Sequence, residues 1–89
     1  MSAEPRELPV SFSSFVVSLA SSAMVHLGET PDPATGASSI DLPLARNAID
    51  LLGIIKSKTK GNLDDEETQL LDALVHDLRA RFLTRVKGS

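Results

Sequence analysis

The chain has no cysteine, no tryptophan and no tyrosine, and its aromatic side chains are Phe12, Phe15 and Phe82 alone. Without cysteine there is no disulfide framework and no thiolate metal site. Three phenylalanines supply no platform on which the bases of a single strand would stack. Basic charge is not in excess either. Nine Lys and Arg stand against twelve Asp and Glu, a formal net charge of −3, which disfavours the basic footprint of a nonspecific nucleic-acid binder. The uncharged stretch from Phe12 to Leu27 is about 16 residues long and holds several serines. That is short of the roughly 20 apolar residues that cross a bilayer. The segment before it, Met1-Ser-Ala-Glu-Pro-Arg-Glu-Leu-Pro9, is net acidic and lacks the basic start of a signal peptide. The expectation is a soluble cytoplasmic protein with no nucleic-acid partner, no membrane span and no cofactor.

What is present is enough for a small core: 89 residues, 42% hydrophobic and 24% charged. One domain of this size buries only about 60% of the surface its unfolded chain exposes. Backbone ordering opposes folding by roughly 1–2 kcal/mol per residue. Small domains commonly recruit disulfides, metal or a partner subunit. With disulfides and thiolate sites excluded, a partner subunit is the remaining common route.

The pattern predicts an all-α fold of three helices, at about 12–27, 42–60 and 64–86. Residues 1–10, with Pro5 and Pro9, read as a flexible N-terminal arm, and 11–87 as a single helical domain. Helix 1 reads as hydrophobic and central, with Ser11 as N-cap and Gly28 as the left-handed residue that ends it. At 100° per residue, Phe12, Phe15, Val16, Leu19, Ala20, Ala23 and Leu27 share one apolar arc that includes His26. Ser11, Ser14, Ser18, Ser21 and Ser22 gather opposite, beside Val25. A solvated helix face usually carries Lys or Glu, and this one carries neither. Small residues let backbones approach, and serine hydroxyls bond back to the preceding turn. Ser14, Ser18, Ser21, Ser22 and Val25 are therefore the expected oligomer interface.

Residues 28–41 form a long Pro/Gly loop in which Pro31-Asp-Pro33 and Thr35-Gly36 make tight turns. Residues 37–40 read as a short extended piece at most. In helix 2, Asp41 is the cap and Pro43 lies in the first turn. Leu44, Ala45, Ala48, Ile49, Leu51, Leu52 and Ile55 fall on one arc of about 160°. Gly53 weakens this helix by roughly 1 kcal/mol against Ala, which points to the close approach of a neighbouring backbone. Asp64-Asp-Glu-Glu67 is a D-x-x-E capping box for helix 3. Leu70, Leu71, Leu74, Val75, Leu78, Phe82 and Val86 form the apolar stripe of that helix. Lys56, Lys58 and Lys60 face the acids of Asp64–Glu67 across a short turn, which favours an antiparallel hairpin of helices 2 and 3.

The residues Phe12-x-x-Phe15-Val16-x-Ser18-Leu19, Leu27-Gly28, Pro31-Asp32-Pro33, Thr35-Gly36 and Leu42 form the first half of a wider pattern. Ala45-Arg46, Ile49-Asp50, Leu52-Gly53, Lys58-Thr59-x-Gly61-Asn62-Leu63, Glu66-Glu67, Leu71, Leu74 and Asp77-Leu78-Arg79 complete it. Over roughly residues 11–83 the chain resembles a bacterial family, domain of unknown function 1844. Asp64 stands where members often have Ser or Thr, and Asp caps a helix equally well. The resemblance implies a small compact unit and supplies no activity, ligand or catalytic residue.

Chemistry is sparse. His76-Asp77 matches the doublet of HD phosphohydrolases, but His26 is the one other histidine, too few for several ligands converging on a metal. His26 on an apolar arc reads as a satisfied core or interface side chain. No serine lies in a G-x-S-x-G elbow, and Ser22 with His26 lacks an orienting acid nearby. The expectation is a non-enzymatic, self-associating helical interaction or adaptor protein of unknown function. It forms a homo-oligomer, a dimer or higher, and any further protein partner is unidentified. Two alternatives stand beside it. One is a metal-dependent hydrolase using His76-Asp77. The other is a peripheral binder of anionic surfaces through Arg79, Arg81, Arg85 and Lys87.

Overall fold

The computed structural model describes residues 10–88. It contains α1 (Phe12–His26), α2 (Leu42–Lys58) and α3 (Asp65–Gly88), with no strand among the described residues. The expected arm lies outside the described residues except for Val10, which is fully exposed.

Local chemistry sets each boundary. At the start of α1 the Ser11 hydroxyl accepts from the Ser14 N–H at 3.0 Å, and the Ser14 hydroxyl accepts from the Ser11 N–H at 3.1 Å. This is a capping box with serine in the place usually held by Glu or Gln. The end of α1 is a Schellman motif: Glu29 N–H donates to Met24 and Gly28 N–H to Val25, both at 2.9 Å, with Gly28 at φ +78°. Asp41 Oδ1 accepts from Leu44 N–H at 3.1 Å to open α2. That helix ends two residues before the expected position. Thr59 directs both its N–H (3.0 Å) and its hydroxyl (2.7 Å) to the Ile55 carbonyl, which closes the last turn. The D-x-x-E box opens α3, with Asp64 N–H to Glu67 at 3.0 Å and Glu67 N–H to Asp64 at 2.8 Å. This helix runs two residues past the expected end, where Arg85 and Lys87 complement its dipole.

All three helices touch one another. The buried core draws on each: Val16, Ala20, Ala23 and Leu27, then Ala45, Ala48, Ile49 and Leu52, then Leu71, Val75 and Leu78. Small residues, Ala20 and Ala23 of α1 and Ala45 and Ala48 of α2, sit where these helices meet the core, a composition that permits close helix packing. Leu27, Leu52, Leu71 and Leu78 fill the remaining volume and are essentially inaccessible, each stabilising by about 1.5–3 kcal/mol. Later residues of α2 face earlier residues of α3: Lys56 pairs with Asp72 at 3.0 Å, while Gly53 lies against Arg79.

The core is narrower than the apolar arcs in the sequence. Phe15, expected on the buried arc of α1, is 50% exposed. Leu44 and Leu51 of α2 and Val86 of α3 are also exposed. The shortest axis of the molecule spans only 16 Å, the depth of two helix layers packed about 8–10 Å apart. Three helices in two layers leave the flanks of each arc uncovered.

The loop between α1 and α2 is closed at its base, where Asp41 N–H donates to the His26 carbonyl at 2.7 Å. Asp32 is its hub: its N–H donates to Ala37 (2.9 Å), its carbonyl accepts from Gly36 (2.7 Å), and its carboxylate accepts from Ala34 N–H (2.7 Å). The expected extended piece at 37–40 forms no strand.

Candidate interaction face

With Val16, Ala20, Ala23 and Leu27 directed inward, the opposite side of α1 carries Val17, Ser21, Ser14, Val25, Ser18, Ser22 and Phe15 in angular order. The four serines are exposed, Phe15 and Val17 are about half exposed, and Val25 is half-buried. No Asp, Glu, Lys or Arg occurs between Val10 and Gly28. The Ser18 hydroxyl donates to the Ser14 carbonyl at 2.9 Å, and the Ser14 hydroxyl to the Ser11 carbonyl at 3.0 Å. Both hydroxyls therefore lie along the helix and do not stand out from it. The result is a low, uncharged surface with an apolar residue on either flank.

The five positions expected at the interface are not equivalent. Ser14 and Ser18 are exposed to solvent. Ser21, Ser22 and Val25 line a shallow cavity of about 280 Å³ together with His26, Asp32 and Pro33. The loop thus borders the C-terminal third of the face, and this contact half-buries Val25 and His26.

Glu29, just past α1, is held from the other side by two arginines of α3. Arg81 Nη1 donates to Oε1 at 3.1 Å and Arg85 Nε donates to Oε2 at 3.2 Å. A carboxylate near a helix C-terminus faces the negative end of the dipole, and the paired guanidinium groups offset this. Arg81 Nε also donates to Asp77 at 2.8 Å. The Asp77 bond and charge, with Glu29 adding to them, raise the Arg81 pKa above its ordinary value. No local pattern points to this clamp, because Glu29 lies 52 and 56 residues from its partners.

The clamp bears on both alternative sites. Asp77, half of the His-Asp doublet, is engaged by Arg81, while His76 is exposed on the outer side of α3. No group of three metal-ligating side chains occurs among the described residues. Of the four basic residues near the C-terminus, Arg81 and Arg85 are paired with carboxylates. No described helix is long and apolar enough to cross a membrane.

The family description "Domain of unknown function (DUF1844)" matches residues 9–84. The chain belongs to this family. The match takes in all of α1 and α2, the loop and most of α3, so the uncharged face, Glu29 and Arg81 lie within the matched residues, while Arg85 falls one residue beyond them. No curated protein and no solved structure matches the chain.

Proposed function

We propose that this DUF1844 protein is a non-enzymatic interaction protein that self-associates through the outer face of α1. Ser14, Ser18, Ser21, Ser22 and Val25 form the close-packed centre, and Phe15 and Val17 extend it on either side. Pairing of α1 with its symmetry mate gives an isologous dimer, the commonest closed assembly. The observation that carries this reading is an exposed helix face with no charge, whose hydroxyls at Ser14 and Ser18 are turned back onto the helix. A face built for solvent would present Lys or Glu.

The thin two-layer arrangement supports the same reading, since a second copy would supply the missing layer. A cytoplasmic setting belongs to the proposal, resting on the net acidic composition and on an uncharged stretch, 12–27, too short to span a bilayer. The two alternatives are the weaker readings because Asp77, Arg81 and Arg85 are committed to one another and to Glu29. Light scattering on the full chain at micromolar concentration tests the proposal: a dimer or higher species is expected, and a stable monomer contradicts it.

A further inference from the structure

At the junction of α2 and α3 lies an open groove of about 510 Å³ with Leu63 and Leu71 among its lining residues. Three cations, Lys56, Lys60 and Arg79, border it against one carboxylate, Asp72. In a chain of net charge −3 this is a local surplus of positive charge. The cations are not equally available. Lys56 is engaged by Asp72 at 3.0 Å, and Lys60 lies just past the end of α2, where it complements the helix dipole.

Arg79 has no such duty. Among the described residues, Arg46, Arg81 and Arg85 each have a carboxylate partner, whereas Arg79 has none. Its guanidinium rests on α2 at Gly53, where an added Cβ would lie 3.0 Å from Nη2. Gly53 occupies a helix interior and has no positive φ, so the turn geometry does not require glycine. Its absent side chain is what lets the guanidinium lie against the helix. The close approach expected at Gly53 is thus made by the Arg79 side chain and not by a neighbouring backbone.

We propose that this groove is a binding site for a small phosphate monoester with an apolar body. The phosphoryl group is held by the guanidinium fork of Arg79, Lys60 adds positive charge to the same groove, and the apolar part lies over Leu63 and Leu71. The four charged side chains sum to +2 (three cations less one carboxylate), matching the roughly −1.5 to −2 of a phosphate monoester at pH 7. The volume is within the about 300–1,000 Å³ usual for small-molecule sites. No residue of α1 lines the groove, so the site stands apart from the self-association face.

The test is a titration of the full chain with phenyl phosphate, inorganic phosphate and benzoate in separate arms, followed by amide and guanidinium NMR shifts. Phenyl phosphate is expected to give saturable shifts at Gly53, Ser57, Gly61 and the Arg79 side chain, with weaker binding of the other two probes. In Arg79→Ala its affinity is expected to fall at least fivefold while the melting temperature stays unchanged, since the side chain is exposed. Arg79→Lys is expected to recover part of the loss. Non-saturable shifts, equal affinity for phenyl phosphate and inorganic phosphate, or unaltered binding by Arg79→Ala would each overturn the assignment.

Discussion

The Ser18 hydroxyl donates to the Ser14 carbonyl across 2.9 Å, so the central serine of the α1 face offers a partner its Cβ and an oxygen lone pair but no free donor. This makes the position tolerant of apolar replacement and intolerant of charge. Ser18→Ala removes only a back-bond that slightly weakens helices. It should leave stability within about 0.5 kcal/mol of the native value, as read by urea unfolding, and the oligomer mass unchanged. A loss above 2 kcal/mol would mean that the hydroxyl has a structural role not seen in this geometry.

Glu29 bridges Arg81 and Arg85 and thereby ties the start of the loop to α3. Glu29→Gln keeps the shape and removes the charge. The melting temperature should fall, and the difference from the native chain should shrink in 1 M salt, where the Debye length is about 3 Å. A deficit that persists undiminished in high salt would show that the hydrogen bonds, not the charges, hold the loop.

Gly28 and Gly36 both have positive φ, at +78° and +73°, but their surroundings differ. A Cβ at Gly28 would meet Ile40 Cγ1 at 2.7 Å, whereas one at Gly36 meets nothing within 4 Å. Alanine at either site incurs the left-handed backbone strain of roughly 1–2 kcal/mol. Gly28→Ala should cost more, because Ile40 must also shift at the base of the loop. Equal losses in chemical denaturation would show that Ile40 moves aside freely.

Gly53→Ala separates stability from binding. Replacing a helix-interior glycine gains about 1 kcal/mol of propensity, and the atom it meets is the far end of a flexible arginine. The variant should be more stable than the native chain by roughly 0.5–1 kcal/mol and bind phenyl phosphate less well. A destabilised variant would mean that Arg79 cannot leave its seat on α2.

Much of this fold is legible in the order of residues, because the signals are local. Ser11, Asp41 and Asp64 cap the three helices, Gly28 stops the first, and the apolar spacing points each helix inward. The widths of the apolar faces are not legible. An arc that includes Phe15, Leu44 and Leu51 is buried only as far as neighbouring helices reach, and that depends on how many layers the chain can build. The same holds for the candidate site. The uncharged serine face could be read from spacing alone, whereas the loop beside Ser21, Ser22 and Val25 could not. The Glu29 clamp and the seat of Arg79 on Gly53 join residues far apart in sequence, and neither leaves a pattern in the chain.

Self-association is proposed to run through the outer face of α1. Sedimentation velocity on the native chain and on Ser18→Lys, at matched micromolar concentration, is the decisive measurement. Ser18 is exposed in the single chain, so Lys there should leave helix content and monomer stability nearly unchanged. An unpaired ammonium cannot be buried in a close helix contact without a large desolvation cost. The native chain is expected to sediment as a dimer or higher species and Ser18→Lys as a monomer. Identical sedimentation of the two proteins would contradict it.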